Sequence, residues 1–337
     1  MSCEILIDSR WQHQQDGIGR FAIEIIRGVP QGRLLNGKLR QLSVADGLYL
    51  SWLLAMHRSA ILFTPGFNAP WFPSPRFVFT IHDLIHLDCP EELSLSKRFY
   101  YFGVLRRAAR RAFRVLTVSE FSKARILAWA GIPSDRVVVV GNGVGKAFHH
   151  EGSAYQAGFP YVLYVGNQKP HKNPLRLLKA LAIVNQRRKI DLIMTGKPSE
   201  GVRAEIERLG LTCVHFTGRL SDDQLAEYYR GAQALILPSL HEGFGLPVVE
   251  AMACGTPVVC ANVSALPEIT GGAALLVDPH REEDIALGIE RILTDDTLRI
   301  TLKRAGCERA KLFSWDEVAA RVNNVLRAAC ASVDSTR

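Results

Sequence analysis

Apolar and polar positions along this 337-residue chain switch repeatedly between two spacings. Short apolar runs that suit buried strands are each followed by a stretch with apolar residues at helical spacing. In the first half, runs at 4–8, 40–44, 60–64, 76–81, 113–118 and 136–140 predict strands. The spacing predicts helices over 18–28, 47–57, 96–111 and 120–130. Gly152, Ser153, Gly158 and Pro160 interrupt the pattern between 147 and 160. It restarts with strands near 161–165, 190–195, 212–216, 233–237, 257–261 and 274–277. Helices are expected near 173–187, 199–209, 221–230, 246–254, 281–293, 296–311 and 315–331. Strand–helix alternation implies mostly parallel sheets covered on both faces, an α/β architecture. The break suggests two such domains, 1–150 and 151–315, and a C-terminal helical segment, 316–337, free to pack back towards the first domain.

The junction after the strand at 233–237 carries the most chemistry. Pro238 and Ser239 break the strand, and the helical pattern resumes after Gly245, with Pro247 at a position where its missing N–H is no loss. The amides of Gly243, Phe244, Gly245 and Leu246 then sit at a helix start, which attracts anions such as phosphate. Glu242 precedes this cradle and Glu250 lies one turn inside the helix. Two acceptor-only carboxylates flanking a phosphate cradle suit a ligand with hydroxyls at both ends, the form of a nucleotide sugar. A glycine turn capping an amphipathic helix, with solvated glutamates, is the structural alternative.

The run from Pro238 to Pro257, PSLHEGFGLPVVEAMACGTP, resembles the signature of family 4 retaining nucleotide-sugar glycosyltransferases. The resemblance implies the GT-B fold, two Rossmann-like domains facing each other across a cleft. It implies that both glutamates of an E-x7-E motif bind the donor, Glu242 at the sugar hydroxyls and Glu250 at the ribose. It extends over nearly the whole chain but is weak between about 30 and 60, and the first domain is short for the family.

Four other groups of residues carry candidate chemistry. Gly17 and Gly19 in DGIGRFA formally fit a dinucleotide fingerprint, but eight residues separate them from the strand and no acidic partner follows a second strand. This argues against NAD. The segment better resembles the family's N-terminal glycine loop, placing Gly17 at the donor phosphates. His82, at the end of a strand, resembles the histidine that lines the family's cleft near the transferred sugar. His86 is a weaker candidate, and Asp83 is expected to orient His82 by a hydrogen bond. In YVGNQKPHKNP, Lys172 matches the family's diphosphate-binding lysine. Asn167 stands where many members place arginine, leaving Lys172, helped by Lys169 or His171, as the main phosphate charge. The segments beginning at Val118 and Gly141 and the stretch from Leu266 to Gly272 resemble further landmarks, and Ser119 reads as a helix N-cap.

Composition narrows the class further. Seven cysteines, an odd number without a C-x-x-C pair, argue against a disulfide framework or a zinc site and suit a reducing cytosol. The N-terminal run carries Glu4 and Asp8, unlike a signal peptide. The longest apolar stretch, Gly47 to Met56, is about half of what a bilayer span needs. Residues 1–150 hold 19 of the 41 basic and 11 of the 33 acidic residues, so the whole net charge of +8 lies there. Nine basic residues fall between 97 and 125, interleaved with Phe99, Phe102, Leu105, Ala109 and Phe113 at helical spacing. This basic helix either packs with its arginines solvated or meets anionic lipid. No nucleic-acid module is recognised.

The resulting expectation is a hexosyltransferase, mannosyl as first guess, in polysaccharide biosynthesis. It would use a nucleoside-diphosphate sugar and a glycan or polyprenyl-linked acceptor, with His82 and Glu242 as the catalytic residues. No D-x-D motif is evident, so no metal or other cofactor is expected. The expected place is cytoplasmic, with a peripheral position on the inner face of the plasma membrane as an option. An epimerase-type GT-B enzyme and an inactive sugar-nucleotide-binding partner are the alternatives.

Overall fold

A computed structural model describes residues 3–335 apart from 15, 38 and 90–92. The chain forms two compact units, one built from the residues up to 143 and those from 314 onwards, the other from Val144–Phe313. The first boundary lies ahead of the expected 150/151 because Val144 and Phe148 pack into the core of the second unit.

In the first unit the strands are β1 (Glu4–Asp8), β2 (Arg33–Leu35), β3 (Ala60–Thr64), β4 (Phe77–Thr80), β5 (Arg114–Thr117) and β6 (Val137–Val139). They form one parallel sheet in the order β2-β1-β3-β4-β5-β6. Helices α1 (Gly17–Gly28) and α14 (Trp315–Asp334) cover one face, where Phe21, Ile25, Val318, Val322 and Leu326 bury against β1 and β3. The approach is close: a Cβ on Gly28 would lie 2.2 Å from that of Ala319. The other face is covered by α2 (Val44–Met56) and by a helical stretch from Leu95 to Arg111.

One expected strand fails here, and one expected helix forms with an altered pitch. The strand expected at 40–44 is a helix cap: Ser43 accepts the Asp46 amide, Leu42 has a φ of 64°, and α2 starts at Val44. The edge strand is instead Arg33–Leu35, three residues of which two are exposed, too short to read as a strand. The helix expected over 96–111 is continuous but changes pitch, with α4 (Leu95–Phe99) and α5 (Arg106–Arg111) joined by a π-helical stretch at Tyr100–Leu105. The wider turn rotates the apolar face. Tyr101, Val104, Leu105, Ala108 and Ala109 are buried, while Phe99 and Phe102 face solvent.

The second unit carries β7 (Tyr161–Tyr164), β8 (Asp191–Met194), β9 (Val214–Phe216), β10 (Leu235–Leu237), β11 (Val258–Ala261) and β12 (Leu275–Val277). They are parallel, in the order β12-β11-β10-β7-β8-β9. Helices α7 (Pro174–Asn185), α8 (Glu200–Leu209), α12 (Glu282–Thr294) and α13 (Asp296–Ala310) pack with one apolar cluster, and α9 (Asp222–Gly231) and α10 (Leu246–Ala253) with another. The strand order reverses between β7 and β10. Ligands of open parallel sheets bind beyond the carboxyl ends of the strands at such a reversal.

Candidate active site

Two loops leave the sheet at that reversal. The loop after β7 runs from Val165 to Asn173, and the loop after β10 from Pro238 to Gly245. Asn173, in the left-handed conformation at φ 60°, ties them together by donating to the carbonyls of Pro238 at 3.0 Å and Pro279 at 2.7 Å. The Leu240 amide donates to the His171 carbonyl at 2.7 Å.

Lys172 and Glu242, read from the sequence as separate phosphate and sugar ligands, meet as an ion pair. Lys172 Nζ donates to both carboxylate oxygens of Glu242, at 2.7 and 2.8 Å. The two side chains retain only 18 % and 8 % of their exposure, so water screens the pair weakly. Ser239 Oγ donates to Glu242 Oε1 at 2.8 Å, and the Glu242 amide donates to Ser264 Oγ at 3.0 Å. Neither serine was singled out in the sequence. Ser239 marked only the end of a strand, and the positive φ of Ser264, 58°, has no sequence signal. Burial, and then the charge of Glu242, raise the pKa values of the Tyr164 hydroxyl and the Cys260 thiol, groups on β7 and β11.

Helix α10 starts with no side-chain cap. Its N-cap residue Gly245 has φ 99°, and a Cβ there would lie 2.7 Å from Leu266 Cδ2. Only glycine fits that conformation and that space. Phe244 is buried with its ring edge-on to Phe313. Glu250, one turn into α10, is buried and accepts from the Tyr229 hydroxyl at 3.0 Å. Lys169 is exposed, His171 is buried, and Asn167 forms a turn by accepting the Lys169 amide. Lys172 is thus the cation that this loop directs at Glu242.

Gly17 and His82 lie in the first unit. Gly17 is the first residue of α1, whose cap Asp16 accepts the amides of Ile18 and Gly19 at 3.0 Å each. A Cβ on Gly19 would come within 1.8 Å of the Gln14 carbonyl oxygen, so this second glycine is required by packing. His82 is buried edge-on to Phe21 of α1 and donates from Nε2 to the Pro65 carbonyl at 2.9 Å. Burial depresses its pKa, partly offset by the Pro65 bond and the charges of Asp83 and Asp16. A neutral ring with its proton on Nε2 leaves Nδ1 as the lone-pair nitrogen. Asp83 does not orient it as expected: its carboxylate accepts the Ile85 amide at 3.1 Å, within its own turn. His86 instead bonds Tyr101 through Nδ1 at 3.0 Å.

Residues 145–309 match the family of glycosyl transferases group 1, and residues 9–148 match glycosyltransferase family 4. The chain is 31 % identical over 317 residues to O-antigen chain mannosyltransferase B of Escherichia coli, covering 88 % of this chain and 83 % of that protein. The chain belongs to the family 4, group 1 glycosyltransferases. Serotype-specific mannosyltransferase WbdA of Escherichia coli is 30 % identical over 274 residues, covering 76 % of this glycosyltransferase, which spans only 33 % of that protein's length. The sucrose-phosphate synthase of Thermosynechococcus elongatus shares the fold, with a TM-score of 0.80 at 20 % identity over 98 % of this chain and 100 % of that one. The two parallel six-stranded sheets of this glycosyltransferase are thus those of a GT-B fold. Among its described residues, no helix is long and apolar enough to cross a membrane.

Proposed function

We propose that this glycosyltransferase moves a mannosyl group from a nucleoside-diphosphate mannose to a glycan or polyprenyl-linked glycan acceptor in polysaccharide biosynthesis, retaining the anomeric configuration. The observation that carries the proposal is the Lys172–Glu242–Ser239 cluster beside the uncapped start of α10, at the strand-order reversal of the second unit. Departure of a diphosphate builds negative charge on its oxygens and positive character on the sugar. Lys172 and the amides from Gly243 to Leu246 would take the first, because preorganised donors act without reorganisation cost. Glu242 would grip the sugar hydroxyls, Glu250 the ribose, and His82 and Gly17 would serve on the acceptor-side unit. Two mannosyltransferases among the relatives favour mannose, and family membership does not favour an epimerase or an inactive partner. The same proposal includes transfer without a metal ion, and contact of the basic stretch 97–114 with anionic membrane.

A panel of nucleoside-diphosphate sugars tests the donor. A matching donor at about 100 times its dissociation constant stabilises the fold by about 2.7 kcal/mol. Transfer from a mannosyl donor, in EDTA, to an α-linked product is the expected result. Transfer from a glucosyl donor alone would replace mannose in the proposal. A separate expectation concerns Lys172→Ala, which should weaken a nucleoside diphosphate by roughly 10–100-fold, the range for a charge-assisted hydrogen bond, and leave the nucleoside nearly unchanged. Equal losses in calorimetry would mean that Lys172 does not touch phosphate.

A further inference from the structure

Helix α2 inverts the usual arrangement of a surface helix. Its single charged residue, Asp46, points inward and is 1 % exposed, paired with Arg10 at 2.7 Å. Its outer stripe is Val44, Leu48, Trp52 and Met56, spaced four apart and 66 %, 52 %, 54 % and 62 % exposed. A surface helix ordinarily turns its charges outward, and a helix apolar on every side belongs in a core or in lipid. The apolar surface continues past the helix. The Trp71 amide donates to the Gly47 carbonyl, and the Phe72 amide to Ser51 Oγ at 3.1 Å, which seats exposed Phe72 beside α2. Trp71 in turn meets the ring of exposed Phe99 at 6.2 Å. This joins α2 to the basic stretch, where Arg98, Arg107, Arg110 and Arg111 are exposed.

We propose that this face, α2 with Phe72 and Phe99, is a membrane-insertion surface that lies in the headgroup region of an anionic bilayer. The inference rests on the membrane contact proposed above and assigns it to apolar insertion as well as charge. The charge decides the occupant: exposed Arg98 adjoins Phe99 of the face, and the unit's sequence holds 21 basic and 14 acidic residues, a net charge of +7 that complements anionic headgroups. Tryptophan and phenylalanine are the side chains that favour the interface between headgroups and acyl chains. A stripe of four side chains over three turns, about 18 Å long, suits a helix lying in the plane of the surface.

Flotation with vesicles of phosphatidylglycerol and phosphatidylcholine tests the inference on the whole protein. Wild type should bind the mixed vesicles and bind pure phosphatidylcholine far less. The double substitution L48S/W52S should lower partitioning at least roughly tenfold, with an unchanged melting temperature because both side chains are exposed. Replacing Arg106, Arg107, Arg110 and Arg111 by glutamine should lower the dependence on anionic lipid. If wild type binds and L48S/W52S binds equally well, insertion through α2 is overturned and contact through the arginines stands. If wild type ignores both vesicles, both ideas fall. Light scattering that shows dimers for wild type and monomers for L48S/W52S would assign the face to a second copy instead and overturn the proposal.

Discussion

Replacing Glu242 by glutamine is expected to lower transfer by roughly 10²–10³-fold, the range for losing one preorganised contact to the transition state. The same substitution should tighten binding of the nucleoside diphosphate by about fivefold. In the free protein the carboxylate holds both hydrogen bonds of Lys172 and neutralises it. Removing that charge releases the ammonium for phosphate, and a fivefold gain corresponds to about 1 kcal/mol. Glu250→Gln should act in the opposite direction and weaken the nucleotide, because Glu250 lies inside α10 and is tied to Tyr229. Calorimetry with the nucleoside diphosphate on both variants separates the roles. Equal weakening in the two would sink the assignment of Glu242 to the sugar and Glu250 to the ribose.

Arg10→Met is expected to produce the largest loss of stability. Arg10 is 6 % exposed and forks onto Asp8, with Nε to Oδ1 at 2.7 Å and Nη2 to Oδ2 at 2.6 Å, while Nη2 also reaches Asp46 at 2.7 Å. Asn68 Nδ2 donates to both carboxylates, and Trp11 Nε1 donates to Asn68 Oδ1. The network pins the segments after β1 and β3 to α2, again where the strand order of the sheet reverses. Burial works against the charge on Arg10, and the bonds and charges of the two aspartates outweigh it, so its pKa rises. Removing the cation leaves two buried carboxylates facing each other, a loss of about 3–5 kcal/mol. For a unit of this size that is roughly 10 °C in melting temperature. Arg10→Lys should recover only part of it, because an ammonium lacks the planar fork. A drop of under about 2 °C for Arg10→Met would show that the network does not hold the unit.

The fold was legible because its signals are local and repeated. Each long buried strand, such as Ala60–Thr64 or Tyr161–Tyr164, is a contiguous apolar run followed by a periodic one. The misreadings fall where a local rule was outweighed. Arg40 to Val44 looked like a strand because Leu42 and Val44 alternate with polar residues, yet the Ser43 cap and its three-residue spacing to Asp46 set a helix start. Phe99 and Phe102 share a helical spacing with Leu105 and Ala109, yet they face solvent while the latter two are buried, because the stretch Tyr100–Leu105 is π-helical. In the second unit, Glu242, Glu250 and Lys172 stood out by motif. Their partners Tyr229 and Ser264 come from separate segments that only folding brings together, and Ser239, three residues from Glu242, carried no signal beyond ending a strand. The Arg10 network was invisible for the same reason. Its members span 60 positions from Asp8 to Asn68, and a buried arginine reads in sequence like a solvated one.

The return of α14 to the first unit has a consequence for synthesis on the ribosome. The second unit is contiguous in sequence, so it can complete its core once Phe313 has emerged. The first unit cannot. Its sheet strands are all made by Val139, but Phe21, Ile25 and Ile61 wait for Val318, Val322 and Leu326. At about 5–20 residues per second that delay is on the order of 10–40 s. During it, the first-made half of the chain holds one apolar sheet face without its last cover, and the later-made unit is the first able to finish folding.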